Sequence, residues 1–542
     1  MIYLLLFWPI YTQTDIVIDL GFKSFPISES SPEIWNILKL FSFVLAFLSN
    51  LVFSVQFSSY FPKKDSQSPS LFNSETNHMN SISHFLIGTN MQNKPIFLSE
   101  KSLYQNMLIT GTIGTGKTSS AMYPFTKQLL ASPQKLSMLI LDVKGNYYKQ
   151  VLAFAQEANR LDDIVVLEVG GFYKYNPLNK PRLSASVLAN RLKTILLLFS
   201  EENGESYWLD KAENILCECI KLCRIYNNGY VNFEEIHKLV TIPDYYLEKF
   251  SIFRNLLQTN RLSYEESYNL LTAIQFFQNE YSLLDDRTIS ILKSEVTRIT
   301  SAFLSDYRIR ETFSPPREEE NLNSMLDLMQ SGKILVLNMN LAEYQNLSKI
   351  IAAYLKMDFQ TDVMLRLTNP SLLKPVIFIS DEYHEYATVS DASFFAQSRE
   401  AKCINIVATQ SYTSLIHSLK SESAAKVILQ SLTNKLWFRN DDITTVESAQ
   451  KQIGQEEKEK TSKSISENAK QTSFSRISNV LISRDATISE SFNTYTQKDF
   501  IFDTNFFTQK LENFSCVAFL SDGEKILPPS KLKMLPYFLK GS

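Results

Sequence analysis

The 542-residue sequence predicts an α/β protein with a doubly wound, mainly parallel sheet, an inserted all-α domain and an N-terminal transmembrane anchor. Three observations lead to this fold class. Short apolar runs alternate with helix-like stretches, and a long segment of helical periodicity separates two groups of these runs. In addition, one uncharged segment near the amino terminus has the length of a membrane-spanning helix.

The apolar runs are near-continuous, which is typical of strands covered by helices on both faces of a sheet. Helical candidates such as Lys117–Leu130 and Asn346–Leu367 lie between them, and this alternation favours a parallel sheet. The predicted strands are Met107–Thr110, Met138–Asp142, Ile164–Glu168, Ile334–Asn338, Val376–Ser380, Ile404–Thr409, Leu436–Arg439 and Cys516–Leu520.

Changes in composition along the chain predict five parts and one flexible loop. The stretch around 455–475 is rich in Ser, Lys, Glu and Gln, which is typical of a flexible surface loop. The predicted parts are a membrane anchor (1–62), a Ser- and Asn-rich linker (63–83), a first α/β part (84–183), an inserted all-α domain (184–327) and a second α/β part (328–542).

The anchor is predicted from Leu40–Phe61, which contains no charged residue and is about as long as a bilayer-spanning helix. A second apolar stretch near residues 2–20 is short, and it predicts a second membrane helix only if it extends past Asp15. Lys63 and Lys64 follow the long segment, and the positive-inside rule places them and all later residues in the cytoplasm. The sequence therefore predicts an anchor in the cytoplasmic membrane.

Composition also limits the partners and cofactors. The net charge of −3 excludes a global basic field, so any contact with DNA must come from local basic groups or from a pore built by several subunits. The five cysteines form no zinc-type pair and suggest no disulfide framework, which indicates reduced thiols.

The segment Gly111–Thr118 matches the phosphate-binding pattern G-x-x-x-x-G-K-[ST] at every fixed position, after a predicted strand and before a predicted helix. Its glycines let backbone amides surround phosphates, and the helix amino terminus adds its dipole. In this motif Lys117 brings a charge to the β- and γ-phosphates, and Thr118 offers its hydroxyl to Mg²⁺. The predicted ATP-binding residues are Gly111, Thr112, Ile113, Gly114, Thr115, Gly116, Lys117, Thr118 and Ser119.

Two carboxylates, Asp381 and Glu382, follow the apolar strand Val376–Ser380. Ligands of open α/β sheets bind at the carboxyl ends of the strands, so this pair is expected at the same edge as Gly111–Thr118. Asp381 is predicted to position Mg²⁺ and Glu382 to polarise the attacking water. The reverse assignment also remains open, but Asp381 lies nearer the strand.

Two further polar residues are candidates for catalysis. Gln410 ends the strand Ile404–Thr409, and there it could sense the γ-phosphate or orient water; the alternative is an ordinary turn residue. Arg399 lies just before that strand and could stabilise transition-state charge across a subunit interface; the alternative is a solvated surface charge.

These motifs together resemble the type IV coupling proteins of the TraG/TraD group, the ATPases of conjugative type IV secretion. The resemblance covers roughly 85–537, although Val143 stands where that family usually has proline. The matching elements, in chain order, are the hydrophobic amino terminus, Phe85–Gly88, the Gly111–Thr118 motif, Leu139–Gly145, Tyr175–Leu178, Tyr207-Trp208, Asp381-Glu382, Ser398–Glu400, Ala408–Ser411, Gln452–Gly454, Cys516–Leu520 and Lys531–Tyr537.

The resemblance implies a homo-hexameric, RecA-like motor at the inner face of the membrane, with ATP and Mg²⁺ as cofactors. Its partners would be DNA, a relaxase complex and the subunits of a type IV secretion channel. ATP would bind between subunits, which makes Arg399 a candidate finger acting in trans. The inserted helices would recognise the substrate.

Two other functions remain open. One is a DNA translocase resembling FtsK or HerA, and the other is an ATP-switched receptor for secreted protein effectors. The long helical insertion favours a coupling protein over an FtsK-like pump, and no C-terminal winged-helix pattern is seen. ATP hydrolysis stimulated by DNA would separate either motor from a receptor.

Overall fold

The computed structural model describes residues 17–19, 24–26, 82, 84–198, 206–242, 245–259, 262–322, 324–467, 472–474, 481–483 and 488–538. The chain divides into two units, residues 1–76 and 77–542. In the first unit, strands β1 (Val17–Asp19) and β2 (Ser24–Pro26) pair antiparallel. The possible short membrane helix near residues 2–20 lies almost entirely outside the described residues.

None of the helices within the described ranges combines the length and apolar character needed to cross a membrane. The predicted membrane segment Leu40–Phe61 and nearly all of the predicted linker lie outside those ranges.

The second unit is built on a sheet that contains eleven strands among the described residues. The strands are β3 (Phe85–Asn90), β4 (Pro95–Leu98), β5 (Met107–Thr110), β6 (Ser137–Leu141), β7 (Ile164–Leu167), β8 (Ile334–Leu337), β9 (Val376–Ser380), β10 (Cys403–Thr409), β11 (Asn434–Phe438), β16 (Ser515–Phe519) and β17 (Ser530–Lys533). Their order across the sheet is β4-β3-β17-β16-β11-β5-β10-β9-β6-β8-β7. Each predicted strand is present to within about two residues of its expected bounds.

The sheet is parallel from β11 to β7 and antiparallel from β11 to β4. Every residue of β5, β6, β9 and β10 is buried, which explains why these strands read as continuous apolar runs. Alternate side chains enter two different cores: Leu139 and Leu141 lie in one, whereas Met138 and Ile140 lie in the other. The predicted mainly parallel sheet is confirmed, with an antiparallel extension at one edge.

Between β7 and β8 the described residues form helices and connecting turns. The core under one sheet face runs without interruption into these helices, since Leu139 and Val165 share a cluster with Ile220 and Val296. The helices are α4 (Ala185–Leu198), α5 (Ser206–Tyr226), α6 (Phe233–Thr241), α7 (Tyr245–Gln258), α8 (Tyr264–Asn279), α9 (Asp286–Leu304), α10 (Tyr307–Phe313) and α11 (Met325–Gln330).

The remaining helices lie between or beside the strands. They are α1 (Glu100–Leu103), α2 (Tyr123–Leu130), α3 (Tyr147–Glu157), α12 (Leu341–Leu365), α13 (Asp391–Gln397), α14 (Tyr412–Leu419), α15 (Glu422–Ser431) and α16 (Ile443–Ile453). A π-helical turn, Thr118–Met122, precedes α2, so the predicted helix Lys117–Leu130 begins with one irregular turn.

The stretch predicted as a flexible loop around 455–475 differs from that expectation. Strand β12 (Gln455–Glu467) pairs along its full length with β15 (Ile488–Phe500) in a two-stranded ribbon, and β13 (Thr472–Phe474) pairs with β14 (Leu481–Ser483). Lys460 and Lys463 form salt bridges with Asp499 and Glu490 across this ribbon. The polar composition therefore reflects strands with solvated side chains.

Candidate functional site

The predicted phosphate-binding loop, Gly111–Thr118, lies where the sheet places it, at the carboxyl end of β5. The loop is held between the ends of two neighbouring strands. The Gly111 amide donates to the carbonyl oxygen of Gln410 after β10 (3.2 Å), and the Thr112 amide donates to that of Arg439 after β11 (2.9 Å).

Two glycines give this loop its shape. Gly114 and Gly116 have φ angles of +80° and +96°, a region in which side chains with a Cβ are strained. A Cβ on Gly116 would lie 2.4 Å from the Phe514 ring, whereas a Cβ on Gly114 would meet no atom within 4 Å. Gly116 thus permits close packing beneath the loop, and Gly114 leaves open space beside it.

The carboxyl-terminal segment supports the loop from outside. The Phe514 amide donates to the Thr115 carbonyl oxygen (3.0 Å), and the Tyr537 amide donates to that of Ser119 (2.9 Å). The Tyr537 ring also packs edge-on against Tyr123 in α2, with ring centres 5.1 Å apart. The end of the described chain is therefore part of the frame that fixes the predicted phosphate site.

The acidic pair faces the loop. The Thr118 hydroxyl donates to Oδ2 of Asp381 at 3.0 Å, so the two residues predicted to hold the metal are in direct contact. Asp381 is buried, and burial raises its pKa to about 6, with the negative charges of Glu382 and Asp142 acting in the same direction. A buried carboxyl group with such a shifted pKa is typical of functional sites.

Glu382 adopts a left-handed backbone conformation with φ 49° and ψ 47°. This conformation is uncommon outside glycine and asparagine, and residues held in it are often found at active sites. Its Oε1 accepts a hydrogen bond from Lys144 at 2.7 Å, whereas its buried Oε2 has no hydrogen-bond partner. Burial alone would raise the Glu382 pKa, but the hydrogen bond and positive charge of Lys144 outweigh it and lower the pKa.

A buried ion pair fixes the segment that follows the acidic pair. Lys356 in α12 and Asp391 at the start of α13 are fully buried, with Nζ and Oδ2 2.5 Å apart. Lys356 also donates to the Tyr386 carbonyl oxygen (2.8 Å), and the Tyr386 hydroxyl donates to that of Asp381 (2.8 Å). Because this network restrains the backbone on both sides of Glu382, it can hold the strained conformation there.

Lys117 is buried beside the acidic pair. Its Nζ donates to the carbonyl oxygens of Gly111 and Thr112, so the amine lies over its own loop. Burial lowers the pKa of Lys117, although the negative charges of Glu382 and Asp381 oppose this effect.

Gln410 lies beside this site, as the predicted strand order requires. Strand β10 pairs with β9 on one side and with β5 on the other, so Gln410 lies between the end of the acidic strand and the loop. Its carbonyl oxygen also accepts a hydrogen bond from Asn440 (2.9 Å).

Arg399 is not brought to the site within its own chain. It is exposed in the turn before β10, at the amino end of a strand whose carboxyl end reaches the loop. The seven residues of β10 separate these two edges of the sheet by about 20 Å.

Three residues of the site were not among the predicted catalytic or binding residues. Lys144 and Asp142 follow β6, and His384 follows the acidic pair; its Nδ1 lies 3.1 Å from the Thr409 hydroxyl and 3.8 Å from Glu382 Oε2. Burial lowers the pKa of His384. The matching element Leu139–Gly145 contains Asp142 and Lys144 and was a visible signal for them. Their proximity to Glu382, however, depends on β6 being the neighbour of β9.

The chain is similar to known coupling proteins in sequence and in fold. A family described as "Type IV secretion-system coupling protein DNA-binding domain" matches residues 310–498, a range that includes Asp381, Glu382, Arg399 and Gln410. This segment of the chain is similar to that domain family. The resemblance predicted from the motifs is confirmed over residues 310–498. The matched range contains the acidic half of the site, whereas the predicted phosphate-binding loop lies before it in the sequence.

Solved structures show the same fold. Unbound TrwBdeltaN70, a bacterial conjugative coupling protein, has 13% identity and a TM-score of 0.54 over 83% of this chain and 88% of its own. The plasmid coupling protein TrwB in complex with ADP and Mg²⁺ gives the same values. Its complex with the GTP analogue GDPNP has 12% identity and a TM-score of 0.54 over 81% and 88%. No curated protein sequence matches the chain.

Proposed function

We propose that this chain is a membrane-anchored ATPase of conjugative type IV secretion, which couples a relaxase–DNA substrate to the secretion channel and drives DNA transfer. The observation that carries the proposal is the contact between Thr118 and Asp381, since it joins the loop and the acidic pair into one site. The match to the coupling-protein DNA-binding domain and the fold shared with TrwB support the choice of cargo.

The residues of the site fit a magnesium–nucleotide. Hydroxyl and carboxylate oxygens are the ligands that Mg²⁺ prefers, and Thr118 and Asp381 supply one of each. Glu382 Oε2, which is buried without a hydrogen-bond partner, and the open space beside Gly114 can receive polar groups of a ligand. Mg²⁺ bound to the phosphates supplies positive charge that offsets their charge during phosphoryl transfer.

Each side chain has a distinct task in the proposed reaction. The loop amides and Lys117 bind and orient the phosphates. Glu382 accepts a proton from the attacking water, and its lowered pKa keeps it ionised for this task. Gln410 can orient that water from the neighbouring strand end.

Arg399 acts, in this proposal, on the site of a neighbouring subunit in a homo-hexamer. Its exposure and its distance from its own loop leave it free to reach a partner. The anchor at Leu40–Phe61 would hold the ring at the cytoplasmic membrane, with the α/β unit in the cytoplasm.

The proposal is tested by replacing Lys117 with Ala in the full chain and measuring transfer of the conjugative element between cells. Transfer should fall to the background of a deletion, whereas Lys127→Ala, which changes a partly exposed lysine paired with Glu157, should transfer normally. Normal transfer by the Lys117 variant would refute the proposal. ATP hydrolysis by purified protein that does not respond to added DNA would favour an ATP-switched receptor instead.

A further inference from the structure

A second lysine, Lys144, lies against the acidic pair. It follows β6, the strand that pairs with β9. Its Nζ lies 2.7 Å from Glu382 Oε1 and 3.9 Å from Asp381 Oδ2. The ammonium group therefore contacts both carboxylates, and Oδ2 is the same oxygen that accepts the Thr118 hydroxyl.

The backbone around Lys144 is fixed. The Asp142 carboxylate accepts hydrogen bonds from the amides of Lys144 (2.9 Å), Asn146 (3.2 Å) and Tyr147 (3.1 Å). On the other side, the Leu341 amide donates to the Val143 carbonyl oxygen (3.0 Å). This short loop thus holds the Lys144 backbone at the edge of the site.

The side chain of Lys144 is not enclosed, because 49% of it is exposed, compared with 2% for Asp381 and 8% for Glu382. A lysine has a long flexible stem, so its ammonium group can leave the acidic pair for solvent without any backbone movement. Lys117 differs, since it is buried and donates to carbonyl oxygens of its own loop. The two lysines therefore have different tasks.

The position of the Lys144 ammonium conflicts with that of a metal. A magnesium ion held by Thr118 and Asp381 would need the oxygen that Lys144 approaches, and two cations near one carboxylate repel each other. Without any cation, two adjacent buried carboxylates repel each other and also repel incoming phosphates. The Asp381 oxygen is therefore approached either by Lys144 or by a metal ion, and not by both at once.

We propose that Lys144 is a positioning residue that neutralises Asp381 and Glu382 in the nucleotide-free protein and yields this place to magnesium when the metal–nucleotide binds. This inference rests on the proposed function. Lys144 acts in the resting state, in which its salt bridge occupies Glu382 Oε1 and keeps Glu382 from accepting a proton from water. Release of that bridge then frees Glu382 Oε1 as the site fills.

The test measures equilibrium binding of a fluorescent, non-hydrolysable ATP analogue to the full chain, once with EDTA and once with Mg²⁺. In Lys144→Met the two carboxylates lack the contacting Lys144 ammonium until the metal arrives. Binding in EDTA should weaken by about tenfold while binding with Mg²⁺ changes by no more than about twofold. The dissociation constant in EDTA divided by the dissociation constant with Mg²⁺ should therefore rise by about tenfold relative to wild type.

Two substitutions serve as matched controls. Lys144→Arg keeps the positive charge, and Lys127→Met removes a partly exposed lysine from another salt bridge, so both should keep the wild-type ratio. Lys144→Gln is a second neutral variant and should behave like Lys144→Met. Thermal unfolding of each variant checks that the half-exposed position tolerates the change.

Three results would overturn the inference. An unchanged ratio in both neutral variants shows that Lys144 does not neutralise the pair. Equal weakening with and without Mg²⁺ shows that Lys144 instead contacts the bound nucleotide. A wild-type protein that binds no analogue in either condition refutes the proposed function and this inference with it.

Discussion

The hydroxyl of Thr118 donates a 3.0 Å hydrogen bond to Oδ2 of Asp381, across 263 residues of sequence. This contact joins the turn after β5 to the end of β9, although β10 lies between these strands in the sheet. It explains why two motifs so far apart in sequence can act on one ligand. It also means that substitutions in either motif should change the same binding and hydrolysis steps.

Replacing Glu382 with Gln should separate binding from hydrolysis. The amide keeps the size of the side chain but cannot accept a proton from water. ATP should therefore stay bound while turnover falls by about 10²–10⁴-fold. Steady-state hydrolysis and retention of labelled ATP on the protein measure the two effects.

Glu385→Gln is the matched control, because Glu385 lies three residues away and pairs with Lys349 and His384, not with either carboxylate's ligand partners Thr118 and Lys144. It should hydrolyse ATP at the wild-type rate. Normal turnover in the Glu382 variant would exclude Glu382 as the general base.

Replacing Gly116 with Ala should damage the loop more than the same change at Gly114. Both positions have positive φ angles, which cost a residue with a Cβ about 1–3 kcal/mol. At Gly116 the added methyl group also meets the Phe514 ring, whereas at Gly114 it enters open space. Nucleotide affinity and the midpoint of thermal unfolding measure the difference.

The double variant Gly116→Ala with Phe514→Ala isolates the two causes. It should recover part of the lost affinity, because the ring contact is relieved while the strained φ angle remains. Equal effects of Gly114→Ala and Gly116→Ala would show that Phe514 does not press on the loop in solution.

Lys435 in β11 should make the free energy of unfolding depend on pH. It is buried, and burial lowers its pKa to about 8 from an ordinary value of 10.5. Between these two values the unfolded chain binds more protons than the folded chain, so this group makes stability rise with pH there and costs stability at lower pH. Lys435→Met should therefore stabilise the protein at pH 7 by about 1–3 kcal/mol.

That gain should shrink as the pH rises through 8 and be lost near 10.5, in unfolding curves recorded at several pH values. Lys127→Met, at a partly exposed position, controls for a general effect of removing a lysine and should show no such trend. A constant difference between Lys435→Met and wild type at every pH would contradict the assigned cause.

Arg399→Ala should bind ATP normally but hydrolyse it about 10³–10⁵-fold more slowly in the assembled ring. A complementation assay tests action in trans, because Arg399→Ala retains the loop and Lys117→Ala retains the arginine. Mixed rings of the two inactive variants should recover hydrolysis at interfaces that combine the intact halves. Mixtures as inactive as their components would show that Arg399 does not act across subunits.

The strands and the two motifs could be predicted from sequence for a clear physical reason. Strands β6, β9 and β10 are buried on both faces, so their composition alone marks them. The ends of parallel strands meet at one edge, so the position of Gln410 beside the acidic strand followed once the order was assumed.

Other features depended on long-range pairing that composition does not encode. Strands β12 and β15 are polar, and each finds its partner more than twenty residues away, so the ribbon resembled a flexible loop. The left-handed backbone of Glu382 is imposed by surrounding contacts such as the Lys356–Asp391 pair. The contact of Lys144 with Glu382 required knowing that β6 pairs with β9.

The most direct test of the central claim is steady-state hydrolysis of ATP with Mg²⁺ by the purified full chain and by Lys117→Ala, with Lys127→Ala as the control. The wild type and the control should hydrolyse ATP, and the rate should depend on Mg²⁺ and rise with added DNA. The Lys117 variant should lose at least about 10²-fold in rate, since charge compensation at the phosphates is lost. Wild-type protein that neither binds nor hydrolyses millimolar ATP with Mg²⁺, or equal rates in the wild type and the Lys117 variant, would contradict the account.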